Sequence, residues 1–243
     1  MISVAADVER RARQSLGRSH DAIYTTVARL LAERHATGTL ADIGCGTGDL
    51  WRAAAGGFAR CIGIDAVRYE GLPADVDFRV ADLDTTGLPM ADGSVDVAAA
   101  VEVVEHLDNP RALVRELVRV VRRGGWIVVS TPNQLSVLSL LTLVVKGRFS
   151  AFQDGAYPAH RTALLEIDLR RIARDCRLRD EAIEYTCRGR VPLTPWHYPP
   201  ALQDQLALRA HGECAHFDHP LGGRQSDAGA PGPAQYAHEL AIR

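Results

Sequence analysis

Lysine is nearly missing from this chain: of 28 basic residues only Lys146 is a lysine, and the others are arginines. Because arginine is spread over the whole length, one arginine by itself says little about a phosphate site. Cysteine is sparse too. Cys45, Cys61, Cys176, Cys187 and Cys214 are odd in number and include no C-x-x-C pair. That argues against a disulfide framework or a four-cysteine zinc site, and for a reducing, cytoplasmic setting. No apolar run reaches the length of a membrane span; the longest, 137–145, is about half of it. Residues 1–18 lack the apolar stretch of a signal peptide. With 30 acidic against 28 basic residues, the net charge is -2. There is no basic field to hold a nucleic acid, so a soluble protein with no such partner is expected.

What is present is enough apolar sequence for a sizeable core. Of the 243 residues, 47% are hydrophobic and 24% charged, which fits one α/β domain. Apolar residues recur at helical spacing in 7–35, giving one or two leading helices. Short apolar runs at 39–43, 61–65, 78–80, 95–101 and 126–129 then alternate with helical stretches at 48–55 and 111–122. Such alternation predicts a doubly wound, mostly parallel sheet covered on both faces. In that architecture ligands sit beyond the carboxyl ends of the strands, so function is sought there. Further on, 135–145 reads as a buried helix or an apolar lid, with the buried helix favoured. Residues 163–176 read as an amphipathic helix and 181–186 as a strand. The proline-rich stretch 192–200, with Trp196 and Tyr198, reads as a loop. Residues 222–233 read as flexible, and 236–242 could be a last edge strand.

The glycine loop 42–49 reads Asp-Ile-Gly-Cys-Gly-Thr-Gly-Asp. A glycine loop between strand and helix also occurs in dinucleotide enzymes, so alone it is a weak signal. Here Asp49 stands where a dinucleotide fingerprint wants a small residue, and Asp42 precedes the first glycine. A pyrophosphate would meet both acids at the helix start, against the favourable helix dipole. A phosphate-free ligand with an ammonium and a sulfonium would tolerate them, as S-adenosylmethionine does. Asp65, 17 residues past Gly48, is placed to hold ribose hydroxyls. Asp82 and Leu83 are placed to meet an adenine amino group and ring. Taken singly, each acid could equally be a cap or turn residue.

The stretches ADIGCGTGDL, GIDAV, VADLDTTGLPMADGSVDVAAAVEVVEHLDNP and RRGGWIVVSTPN, within 39–133, resemble the class I S-adenosylmethionine-dependent methyltransferases. Within these they look most like the ubiquinone-biosynthesis O-methyltransferases and their small-molecule relatives. The resemblance implies a seven-stranded Rossmann-like sheet with one antiparallel edge strand, for which 236–242 is a candidate. It divides the chain into leading helices (1–38), the cofactor core (39–133), a substrate lid with further core elements (134–200) and a tail (201–243). Its cofactor residues fall on Asp42, Gly44, Cys45, Gly46, Gly48, Asp65, Ala66, Asp82, Leu83 and Val101.

Methyl transfer to a hydroxyl needs alignment and loss of a proton, hence a base or a metal near the end of the fourth strand. Glu102, Glu105 and His106 could share one face of a helical turn there. Together with His160 they are similar to the divalent-metal site of small-RNA 2′-O-methyltransferases and of ubiquinone-type enzymes. Mg²⁺, Mn²⁺ or Zn²⁺ would suit two carboxylates and two imidazoles. Three uses stay open for these residues: metal ligation, His106 as a metal-free base with His160 beside it, or a structural role. The function expected is O-methylation of a small aromatic, lipid-like or glycosidic acceptor, with contact to a membrane surface if the lid is apolar. RNA ribose methylation, a nicotinamide-dependent oxidoreductase and a non-catalytic cofactor-binding subunit are the alternatives. The cluster 211–219, rich in histidine, matches no standard zinc spacing and is read as a solvated loop.

Overall fold

The computed structural model describes residues 4–186 and 205–212. Readings placed on 192–200, Trp196, Tyr198, 222–233 and 236–242, and most of 211–219, lie outside them. Two helices lead, α1 (Val4–Gln14) and α2 (Asp21–Ala32), followed by β1 (Thr39–Ile43), α3 (Asp49–Ala53), β2 (Arg60–Asp65), β3 (Asp77–Val80) and β4 (Val95–Val101). Then come α4 (Pro110–Val120), β5 (Val121–Pro132), α5 (Val137–Lys146), α6 (Glu166–Asp175), β6 (Leu178–Thr186) and β7 (Gln205–Gly212). No helix among the described residues is long and apolar enough to cross a membrane.

The strands form one seven-stranded sheet in the order β3-β2-β1-β4-β5-β7-β6. All pairings from β3 through β5 are parallel, and β7 runs antiparallel to both of its neighbours. The sheet is therefore mostly parallel with one antiparallel strand, as expected. Among the described residues that strand is Gln205–Gly212, which lies one position in from the edge with β6 outside it; the candidate 236–242 lies outside the described residues. Nothing in the local pattern marked it: LALRAH alternates only partly, and its antiparallel placement follows from pairing to β5.

Side chains of β4 show why both faces must be covered. Val97, Ala99 and Val101 pack with Ile23, Val27 and Leu31 of α2 and with Leu50 of α3. Ala98 and Ala100 face the opposite way, toward Leu113 and Leu117 of α4 and Leu169 and Ile172 of α6. This is the period-two alternation of a strand buried on both sides. Each fully buried leucine of α4 contributes roughly 1.5–3 kcal/mol. Asn109 caps α4 by accepting from the Ala112 N–H at 3.1 Å, and Pro110 occupies the first turn, where no amide proton is needed. The helix ends at Val120, and the chain passes straight into β5 rather than continuing to 122 before a glycine turn.

Helix α5 departs from its favoured reading. Ser136 caps it and Gly147, at φ +70°, ends it, but only Ser139 of the helix is buried. Leu138, Leu141, Val144 and Val145 are exposed, the last two at 84% and 78%. It is an apolar helix that does not pack on the core.

Candidate functional site

At the β1/β4 junction the strand order reverses, and the carboxyl ends of successive strands open into one cleft of about 560 Å³. Ten of the residues read from sequence line it: Gly44, Asp65, Ala66, Asp82, Leu83 and Val101 at one end, and Glu102, Glu105, His106 and His160 at the other. Asp42, Cys45, Gly46 and Gly48 do not line it; they hold up its floor.

The glycine loop is shaped by close approach. The N–H groups of Gly44 and Cys45 donate to the Ile64 carbonyl at 2.7 and 3.2 Å, which clamps the loop to β2. Gly46, at φ +51°, lies directly under residue 17. A Cβ placed on it would stand 2.0 Å from the Gly17 carbonyl oxygen. Its N–H donates to Asp65 at 3.0 Å, and the Ala66 N–H donates to the other Asp65 oxygen at 2.7 Å. Asp65 is thereby fixed, 8% exposed, with lone pairs left for the cleft. Burial raises its carboxyl above the usual range against those donors.

The two acids expected to repel a pyrophosphate behave differently. Asp49 is paired with Arg18 at 3.2 Å and Arg52 at 2.8 Å, so its charge is largely answered. Asp42 is 3% exposed, and its carboxylate makes no hydrogen bond among the described residues. Desolvation, with Asp65 and Asp49 near, pushes its carboxyl up to about 7. Of the acids expected to favour a cationic ligand, Asp42 and Asp65 are the ones left without an ion-pair partner among the described residues. Asp82 is engaged as a turn residue, accepting from the Asp84 N–H at 3.0 Å and the Thr85 hydroxyl at 2.6 Å while it lines the cleft.

At the other end the backbone brings distant residues together. The N–H groups of Arg161 and Thr162 donate to the Glu105 carbonyl at 2.8 and 3.0 Å, and the Thr162 hydroxyl donates to Leu107 O at 2.6 Å. This clasp sets His160 against His106, with ring centroids 4.8 Å apart at 75°. His106 Nδ1 is 2.9 Å from Ala159 O, and His160 Nδ1 is 2.6 Å from Ala151 O. A carbonyl only accepts, so each Nδ1 carries the proton and each Nε2 keeps a lone pair. Burial lowers both imidazoles, His106 to about 4, so both are neutral near pH 7. One ligand atom each from Glu105, His106 and His160 lie within 4.8 Å of one another.

Glu102 does not join them. It adopts φ +56°, so the helical turn begins only at Val104, and the anticipated common face of 102, 105 and 106 does not form. Its carboxylate accepts from the Ser130 hydroxyl at 2.9 Å instead, and desolvation raises it to about 7. Glu105, 1% exposed, is also raised, by burial first and by Glu102 second.

Several lining residues escaped the sequence reading: Arg11 on α1, Tyr24 on α2, Tyr69, Leu138 and Gln205. The α1 residues could have been suspected only from Gly17 and Gly46, whose mutual fit folds the leading segment over the loop. The Thr47 N–H donates to Gly17 O at 3.0 Å, and the Tyr69 hydroxyl donates to Ala12 O.

Residues 41–129 match the methyltransferase domain family. A probable S-adenosylmethionine-dependent methyltransferase of Mycolicibacterium smegmatis is 35% identical over 124 residues, 49% of this chain and 46% of that protein. A ubiquinone biosynthesis O-methyltransferase of Bordetella avium is 32% identical over 102 residues, 38% and 42% respectively. The chain thus spans under half the length of these relatives. A SAM-dependent methyltransferase structure from Thermotoga maritima superposes with TM-score 0.62 at 18% identity, over 86% of this chain and 98% of that one. The [4+2]-cyclase SpnF does so with 0.52 at 20%, over 77% and 80%. These two likenesses concern the fold alone, which therefore does not fix the reaction. The family match runs over 41–129, the strands that build the cleft, and over this part the chain is similar to the class I S-adenosylmethionine-dependent methyltransferases.

Proposed function

We propose that the protein transfers the methyl group of S-adenosylmethionine to a hydroxyl of a small acceptor. The observation that carries this reading is the meeting of Glu105, His106 and His160 in the same cleft as Asp65 and Leu83. Asp65 would hold the ribose hydroxyls and Asp42 would answer the positive charge of the methionine end, beneath the loop at Gly44. Leu83 and Ala66 would cover the adenine, with Asp82 at its rim. The acceptor hydroxyl would lie beside the two imidazoles, in line with methyl and sulfur.

The three side chains fit a divalent metal. Three ligands each about 2.1 Å from one ion stand roughly 3–3.6 Å apart, so ligand atoms now within 4.8 Å of one another would close by about an ångström on binding. Both imidazoles also have their second nitrogen pinned to a carbonyl, as metal-bound histidines do. Two nitrogens and one oxygen favour Zn²⁺ or Mn²⁺ over Mg²⁺. Such an ion would lower the pKa of the bound hydroxyl. Without it, the free Nε2 of His106, with that of His160 beside it, would be the group to take the proton.

The exposed apolar residues of α5 support an acceptor with a lipid-like part, or one drawn from a membrane surface. Leu138 belongs both to that helix face and to the cleft.

The reading is tested by incubating the protein with S-adenosylmethionine and a panel of phenols, catechols and prenylated phenols, and following O-methyl products by mass spectrometry. Turnover should fall at least tenfold with chelator and return with one metal, and His160→Ala should do the same without return. Turnover unchanged in both cases sinks the metal; methylation only at nitrogen or carbon sinks the hydroxyl acceptor.

A further inference from the structure

One cation lines the acceptor end of the cleft, and it is poorly used. Arg11 projects from α1 with its side chain 12% exposed. Among the described residues its five N–H donors make one hydrogen bond, from Nη1 to the His106 carbonyl at 3.4 Å. Nε is buried without a hydrogen-bond partner. Asp7 stands 3.3 Å from Nε, and Asp84 stands 3.6 Å from Nη1; both attract the guanidinium without accepting from it. Each acid is also engaged elsewhere. Asp7 is 2.5 Å from Arg10, and the other oxygen of Asp84 accepts from the Asp108 N–H at 2.8 Å. The second arginine of the cleft differs: Arg18 is 60% exposed and ion-paired to Asp49.

A guanidinium that is desolvated yet short of acceptors costs free energy unless a ligand supplies them. From these contacts we infer that Arg11 seats a carboxylate of the acceptor, so that the substrates are hydroxylated acids. The inference rests on the hydroxyl-acceptor reading above. A carboxylate matches the planar fork of arginine with two parallel hydrogen bonds. A dianionic phosphate would suffer more from Asp7 and Asp84 than a monoanion does. Because Nη1 is bonded to the backbone of His106, a carboxylate on Arg11 and a hydroxyl at His106 and His160 can belong to one small molecule. The polar group would then fix which hydroxyl faces the methyl donor.

The test is binding, measured apart from turnover. The protein loaded with S-adenosylhomocysteine is titrated by calorimetry with 3,4-dihydroxybenzoate, its neutral carboxamide and catechol. The carboxylate should bind at least tenfold more tightly than the amide or catechol. Arg11→Gln should bring that ratio close to one, and Arg11→Lys should keep part of it. A wild-type ratio near one, a ratio that survives in Arg11→Gln, or no binding of any of the three overturns the inference. The wild-type ratio decides even if the variants fold badly. Methyl transfer is read separately. Catechol methylated with no carboxylate preference leaves the hydroxyl reading standing and removes Arg11; carboxylate preference without transfer does the reverse.

Discussion

At the cofactor end the cleft is walled by backbone: a clamped glycine turn and the ends of neighbouring parallel strands, each contributing its next residue. At the acceptor end it is walled by side chains from segments up to about 150 residues apart, Arg11 from α1 and His160 from beyond α5, held by a few hydrogen bonds to the backbone of 105–107. The first construction leaves little room for a change of residue. The second can exchange side chains while the sheet stays as it is, which suits a fold whose relatives carry out different reactions.

Buried acids give the largest expected effect. Asp42 has its folded-state carboxyl raised from 3.8 to about 7. A raised carboxyl supplies stability below its unfolded value and loses it as pH rises through the folded value. The ligand-free protein should therefore lose about 4 kcal/mol between pH 4 and 8 from this group, at roughly 1.4 kcal/mol per unit. Glu102 pulls the same way. Thermal melts across that range should show Asp42→Asn stabilised at pH 8 and little changed at pH 4. S-adenosylmethionine, a cation, should bind more tightly as pH rises over the same window. Parallel melting curves for the two proteins would remove the charge from the account.

The glycine turn is the next point at which the contrast can be broken. In Gly46→Ala the new methyl would meet the Gly17 carbonyl oxygen at 2.0 Å, on a residue already at φ +51°. Backbone cannot swing aside as a side-chain tip can, so residues 15–19 must lift off the loop. The change should cost about 2–4 kcal/mol, combining left-handed strain with overpacking. S-adenosylhomocysteine affinity should fall by tenfold or more in calorimetry. Wild-type affinity in a folded Gly46→Ala protein would mean that the leading segment does not cover the cofactor end at all.

The sequence was most readable where the physics is local. Strand runs such as Val95–Val101, the glycine turn and Asp65 are set by near neighbours, and the structure finds them in place. It was least readable where partners are far apart. β7 needs β5 to be recognised as a strand. Arg11 gains meaning only once α1 lies over the cleft. Glu102 looked like a partner of Glu105 because a helical turn was assumed, and a positive φ turned it toward Ser130 instead. Helix α5 misled in the opposite sense: its apolar run suggested burial, yet no described element packs over Leu141, Val144 and Val145. Composition tells how apolar a helix is, not whether a neighbour covers it.

The smallest effect sharpens the contrast most cleanly. Thr162 closes the acceptor-end clasp through its hydroxyl, 2.6 Å from Leu107 O, and valine keeps its shape while removing that donor. Losing one such bond costs about 1 kcal/mol of stability. The His160 segment would remain tied through the amides of Arg161 and Thr162 to Glu105 O, only less firmly. If the two ends are built independently, Thr162→Val should lower kcat with a named phenolic acceptor by roughly three- to tenfold, as alignment loosens. S-adenosylhomocysteine affinity should stay within twofold of wild type, because no part of the glycine loop or of Asp65 touches this clasp. A matching fall in cofactor affinity would instead mean that the acceptor wall and the cofactor floor move together, with Glu105 and Val103 as the route between them.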